Sequence, residues 1–271
     1  MRGWARRCSF TKAAAAIAAE EFRRDGVTKL WTPQTEALAV SMDKKLAERE
    51  QNGEEVWVPV ATGPAWNYAG DLYRDFPEIE GLFKGPLGEF LALYFRSWFK
   101  VFYGVMYKTV NKPDGPVGSQ KWHSDSGPGT CVNVMYYLHD TDHESGTLEA
   151  LPWSCSLAIY EEETRVIRDR LRATYGTDKV AKSDRIKEMV KLYDERISTS
   201  FASRIRHPYG KAGMLVPFLN NNLHRGGFPV PGRERRAIVF HCYPSAEPTP
   251  YDKYRSEGIG KRDAYPKDPN F

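Results

Sequence analysis

Apolar positions follow helical spacing through the first hundred residues and strand spacing through most of the remainder. Residues 11–25 are strong helix formers that stop at Gly26, a residue suited to ending a helix. Val27 to Trp31 reads as a short strand. Thr32-Pro33 then opens a second helix, with the threonine as cap and the proline in the first turn, that runs to about Glu50. Residues 51–85 mix Gly, Pro and aromatics and read as loop with short turns. From Pro86 to Trp98 helical spacing returns, with Leu87, Phe90, Leu91 and Tyr94 on one side.

Beyond that point the period shortens. Val101–Val110, Cys131–Leu138, Thr147–Leu151, Met214–Phe218 and Arg236–Tyr243 are β-branched or aromatic runs bounded by Gly, Pro or Asn. Helices followed by many short strands predict an α+β chain with a β-barrel or sandwich core. Residues 160–199 interrupt the strands with a highly charged helical stretch, either a solvated insertion or a lid over a site. The tail, 244–271, is rich in Pro, Asp, Lys and Tyr and is either disordered or a cover. No internal repeat is visible.

The chain has 271 residues, 41% hydrophobic and 13% aromatic, enough for a sizeable core in one domain spanning 1–271. Its net charge of +4 comes from interspersed residues rather than a block, which argues against a nucleic-acid partner. No apolar run is long enough to span a bilayer, so no membrane partner is expected. Cys8, Cys131, Cys155 and Cys242 form no CxxC pair and read as reduced residues, which makes a thiolate metal site a poor account. Arg2, Arg6 and Arg7 ahead of Ala13–Ala19 faintly resemble a targeting segment. The run passes straight into Glu20-Glu21-Phe22-Arg23-Arg24, as a helix of a cytoplasmic protein would.

Candidate chemistry sits in Trp122-His123-Ser124-Asp125. Side chains two apart on a strand share a face, so His123 and Asp125 can aim at one point. Alone, the pair reads first as a hydrogen-bonded couple near a strand end. Of the other histidines, His139 and His143 lie in a polar turn and His207 precedes a proline. His224 differs, following the turn Asn220-Asn221-Asn222 and preceding Arg225-Gly226-Gly227. A second histidine returning from a distant strand completes two nitrogens and one oxygen, the facial set of non-haem Fe(II) oxygenases. Arg235 lies eleven residues after His224, at the start of a strand. Alternation turns Arg235 or Arg236 inward, where a guanidinium needs an anionic partner. The alternative is that the arginines all face solvent.

These pieces resemble the phytanoyl-CoA dioxygenase-like group of Fe(II)- and 2-oxoglutarate-dependent oxygenases. The matching residues are Trp-His-Ser-Asp at 122–125, Gly146-Thr147-Leu148, Leu151-Pro152, His224 and Arg235-Arg236-Ala237-Ile238; Phe22 to Val27 resembles the family's opening. The resemblance covers about residues 20–243. It implies a double-stranded β-helix (jelly-roll, cupin-like) core at about 101–243, flanked by N-terminal helices at about 11–98 and carrying the helical insertion. It also implies His123, Asp125 and His224 as iron ligands, with Arg235 on the distal carboxylate of 2-oxoglutarate and O2 as the other co-substrate. Oxidative decarboxylation would give succinate and CO2 and oxidise a C–H bond of a small molecule, the metal supplying the reactivity. A carboxylate at Asp125 favours hydroxylation, because related halogenases carry a small residue there.

Two departures stand out. Pro152-Trp153-Ser154-Cys155 replaces a frequent Pro-Gly-Ser-His, and Gly226 stands where a serine is frequent. Asn133 either donates to the keto acid's C1 carboxylate or serves as a turn or cross-strand partner. Tyr107 or Lys108 faces the substrate or packs the barrel, and Trp153 covers the mouth or packs the core. Aromatic and basic residues near the presumed mouth suit an anionic or zwitterionic substrate. The same chemistry on nucleic acid or protein, and a non-catalytic jelly-roll binding protein, are the alternative readings. The eleven-residue spacing to Arg235 favours the small-molecule group.

Overall fold

The structure, a computed structural model, describes residues 2–60, 65–111, 117–125 and 131–248, with 2–11 and Tyr103 described by backbone alone. Helix α1 (Arg2–Asp25) ends at Gly26, whose φ of 68° only glycine adopts at little cost. A Cβ there would also lie 2.6 Å from the Asn222 amide, so the residue is fixed by conformation and by space. Helix α2 (Pro33–Gln51) starts from a reciprocal cap. The Thr32 hydroxyl accepts from the Thr35 amide at 3.1 Å, and the Thr35 hydroxyl accepts from the Thr32 amide at 3.0 Å. Such a cap contributes about 1 kcal/mol.

Between residues 51 and 85 the chain is not all loop. Strands β1 (Trp57–Pro59) and β2 (Ala65–Tyr68) pair there, followed by the short helices α3 (Leu72–Asp75) and α4 (Glu80–Phe83). Strands of three and four residues carry too little periodicity to read, and β2 exists because β3 (Trp98–Val110) pairs with it. Helix α5 (Pro86–Phe95) buries Leu87, Phe90 and Leu91 as the spacing predicts, then stops at Phe95 rather than Trp98 because Arg96 turns left-handed, φ 54°. Val27–Trp31 forms only single bridges, Val27 to Phe218 and Leu30 to Leu215.

The remaining strands are β4 (Val132–Tyr137), β5 (Leu148–Ala150), β6 (Leu215–Leu219), β7 (His224–Gly226) and β8 (Glu234–Ser245). A six-stranded antiparallel sheet runs β1-β2-β3-β8-β4-β6, and β5 and β7 form a second, small sheet. Pro244 and Ser245, taken as tail, continue β8; residues 249–271 lie outside the described part.

Alternation assigns the large sheet's two faces. Met106, Val134, Tyr136, Ile238 and Phe240 pack outward on Phe22, Met42, Leu46 and Phe90 of the helices. Met135, Tyr137, Val216 and Phe218 pack inward against Leu148 and Ala150 of the small sheet. With both faces covered, β4 is buried at every position. The two sheets therefore face each other, and the site lies between them.

Helices α6 (Trp153–Tyr175) and α7 (Lys182–Arg196) fill the charged stretch, but α6 begins at Trp153, ahead of residue 160. The stretch is also more than a solvated insertion. Ile159, Ile167, Leu171 and Leu192 form a core of their own with Trp122, Leu151 and Leu223. That core underlies the segments carrying His123 and His224. Among the described residues, no helix is long and apolar enough to cross a membrane.

Candidate metal centre

His123 lies outside any named strand, yet one bridge holds it extended beside His224. The His123 amide donates to the His224 carbonyl at 3.0 Å, and the His224 amide donates back at 2.9 Å. The Asp125 amide donates to the Asn220 carbonyl at 2.9 Å, which keeps His123 and Asp125 on a common face. A single bridge rather than a full strand thus gives His123 its extended backbone.

His123, Asp125 and His224 converge, offering ligand atoms that all lie within 4.8 Å of one another. His123 Nε2 is 3.7 Å from Asp125 Oδ1, and His224 Nε2 is 3.8 Å from Asp125 Oδ2. These atoms are too far apart to hydrogen-bond and close enough to share one ion. Both rings are oriented from behind. His123 Nδ1 lies 2.7 Å from the Lys121 carbonyl and His224 Nδ1 lies 2.8 Å from the Asn222 carbonyl. A carbonyl only accepts, so Nδ1 carries the proton in each ring and Nε2 presents its lone pair to the centre. Burial pushes His224 down to about 4, against the opposing pull of Asp125, and an uncharged imidazole is the form that ligates.

Asn222 is a support that its place in a polar turn does not reveal. Its side-chain amide donates to the carbonyls of Asp25 at 3.1 Å and Leu151 at 2.9 Å. The end of α1, the exit of β5 and the His224 turn are thereby joined. Tyr160 on α6 adds a second tie, its hydroxyl donating to the Asn221 carbonyl at 2.7 Å.

Asn133 does touch the centre: its Nδ2 donates to Asp125 Oδ2 at 2.6 Å, while its carbonyl accepts from the Cys131 thiol at 3.3 Å. Its partner is the carboxylate of Asp125, which lies outside any strand. His241, unremarked in the sequence, pairs in register with Asn133 and lies close enough to Asp125 to feel its charge. Burial lowers its pKa while Asp125 opposes that shift.

Arg235 faces inward at 3% exposure. Its Nη1 donates to the Gly146 carbonyl and its Nη2 to the Thr109 hydroxyl at 3.3 Å, with its cation over the Tyr107 ring at 5.7 Å. Nε has no acceptor, and no carboxylate pairs with it, among the described residues. A buried guanidinium without an acid costs several kcal/mol unless an anion is supplied. Gly226 makes room: a Cβ there would approach Arg235 Nη2 to 3.1 Å.

Tyr107 therefore lines the inner space, whereas Lys108 faces the other way, over the rings of Trp57 at 5.2 Å and Trp66 at 6.0 Å. Trp153 is half-buried at the start of α6, 6.3 Å from the Tyr160 ring, and belongs to none of the cores.

No family model matches the chain. The L-proline trans-4-hydroxylase of Streptomyces griseoviridis is 27% identical over 150 residues, 54% of this chain and 53% of that protein. The chain thus matches about half the length of this curated relative. Among solved structures, AviO1 from Streptomyces viridochromogenes Tue57 superposes with a TM-score of 0.51 at 20% identity, over 87% of this chain and 98% of that one. The non-haem α-ketoglutarate-dependent epimerase SnoN from nogalamycin biosynthesis gives 0.55 at 16% identity, over 86% and 84%. EctD from S. alaskensis, solved with 2-oxoglutarate and 5-hydroxyectoine, gives 0.52 at 14% identity, over 86% and 80%. At these identities the likeness establishes the fold.

Proposed function

We propose that the chain is an Fe(II)- and 2-oxoglutarate-dependent oxygenase, phytanoyl-CoA dioxygenase-like in kind, that hydroxylates a C–H bond of a small molecule. One observation carries the reading. Two imidazoles and one carboxylate converge, and near them on the inner face lies a buried arginine that no acid satisfies among the described residues. With its Nε lacking an acceptor among the described residues, this arginine fits the carboxylate of a co-substrate. A non-catalytic jelly roll would have no use for both features. The paired sheets are read as a double-stranded β-helix, and the L-proline hydroxylase likeness supports hydroxylation of a small molecule.

In this reading His123, Asp125 and His224 hold iron on one side and leave its other positions open. Iron with 2-oxoglutarate and O2 supplies the oxidising chemistry, releasing succinate and CO2. The chain's own work is placement. The Lys121 and Asn222 carbonyls fix the two imidazole tautomers, and Asn133 fixes the Asp125 carboxylate. Arg235 binds the far carboxylate of the keto acid with its planar fork, and Gly226 leaves space for it. Met135, Val216 and Val239 line the space between the sheets with apolar surface that excludes water. The buried thiols Cys131, Cys155 and Cys242 are free, in keeping with a reducing cytoplasmic setting.

The test is succinate formation from 2-oxoglutarate under air with added Fe(II). Turnover that disappears in His123→Ala supports the assignment; turnover that survives the substitution overturns it.

A further inference from the structure

The bridge at His123 holds its segment extended, so side chains alternate along Trp122-His123-Ser124-Asp125. His123 and Asp125 face the metal centre, and Trp122 and Ser124 face the other way, onto the helical insertion. Trp122 is buried there with Ile159, Leu171 and Leu192. The turn that carries His224 is built alike. Leu223 joins the same core, and its amide donates to the Ser156 hydroxyl of α6 at 2.9 Å. The insertion thus backs both segments that bear the ligands.

One side chain touches both. The Tyr160 hydroxyl donates to the Asn221 carbonyl at 2.7 Å, and the same phenol is hydrogen-bonded by Ser124. A carbonyl only accepts, so the phenol's single proton goes to Asn221 and Ser124 supplies the proton of the second bond. Burial pushes the Tyr160 pKa up to about 12, which keeps the phenol neutral. Its ring lies beside those of Trp153, at 6.3 Å, and Tyr193, at 6.4 Å. Ser124 stands between two ligands, and Asn221 stands three residues before the third.

We propose that Tyr160 is a positioning residue of the metal centre. By bridging Ser124 and Asn221 it fixes the spacing of His123 and Asp125 from His224, and so sets the affinity for Fe(II). The charged insertion then acts on the metal from behind its ligands rather than as a lid. This rests on the iron reading above.

The test titrates Fe(II) into the anaerobic metal-free protein against a chromophoric chelator. Tyr193 supplies the control, because its hydroxyl donates to Glu163 at 2.6 Å within the same helical core and touches neither ligand segment. Tyr160→Phe should weaken Fe(II) binding about tenfold, the lower end of what partners behind metal ligands contribute, while Tyr193→Phe stays within about twofold. Ser124→Ala should weaken it about threefold, and the double variant no further than Tyr160→Phe, because the two hydroxyls form one bridge. An affinity in Tyr160→Phe within about twofold of wild type, or an equal loss in Tyr193→Phe, would overturn the proposal. Should Tyr160→Phe fail to fold, folded Ser124→Ala decides: weakened binding supports the bridge and unchanged binding overturns it. Later addition of 2-oxoglutarate separates the two levels. Wild type that binds Fe(II) but develops no visible band with the keto acid sinks the oxygenase reading, while the Tyr160 and Tyr193 affinities still decide the bridge. Wild type that binds no Fe(II) overturns both.

Discussion

Arg235 and Arg236 are neighbours on one strand with opposite lives. Arg236 faces the helices and meets three acids: Glu234 at 2.6 Å, Glu50 at 2.9 Å and Asp43 at 3.2 Å, with its cation 5.8 Å from the Trp57 ring. Arg235 faces the inter-sheet space and meets a carbonyl, a hydroxyl and a tyrosine ring, with no acid among the described residues. The first arrangement completes itself on folding. In the proposed function the second is completed by the carboxylate of the co-substrate. One residue of register thus separates an arginine paired with acids from one that, in the proposed function, binds a ligand.

Substitutions can break or sharpen that contrast. The largest effect should come from the ligand set across from Arg235. Partners behind metal ligands are worth 10–100-fold, so losing Asp125 itself should cut succinate formation by more than about a hundredfold, with the folded state retained by circular dichroism. Next, Arg235→Ala should raise the KM for 2-oxoglutarate about thirtyfold, the equivalent of ~2 kcal/mol of charge-assisted hydrogen bonding. An unchanged KM would remove Arg235 from the site. Asn133→Ala should weaken Fe(II) binding about tenfold in an anaerobic titration, through a freed Asp125 carboxylate rather than through the keto acid. A selective rise in the 2-oxoglutarate KM with metal affinity intact would instead return Asn133 to the C1 carboxylate. The smallest catalytic effect belongs to Arg236→Ala. Its KM for 2-oxoglutarate should move less than about twofold, while stability falls by about 2 kcal/mol as three acids lose their cation, lowering Tm by about 5 °C.

Much of this was legible in the sequence where the signal is local. The Thr32 cap, the Gly26 stop and the apolar face of α5 depend on neighbours within a turn, and each forms as read. The convergence of His123, Asp125 and His224 was legible only once the family resemblance joined His224 to the His-x-Asp pair, which alone has many other uses. What escaped depends on register or on distant partners. β1 and β2 are strands only because β3 lies beside them, and α6 starts early because Cys155 and Ile159 find Leu151 and Leu223 to cover. His241 looks like one more strand residue until β4 sets Asn133 opposite it. Asn222 reads as a turn former, and its bonds to Asp25 and Leu151 cross much of the chain.

The most direct test of the central claim is anaerobic addition of Fe(II) and then 2-oxoglutarate, followed by visible absorption. Wild type and Arg236→Ala should both develop the metal-to-keto-acid charge-transfer band, Arg235→Ala only at much higher 2-oxoglutarate, and His224→Ala not at all. A wild-type protein that stays colourless, or a band undiminished in His224→Ala, would contradict the account.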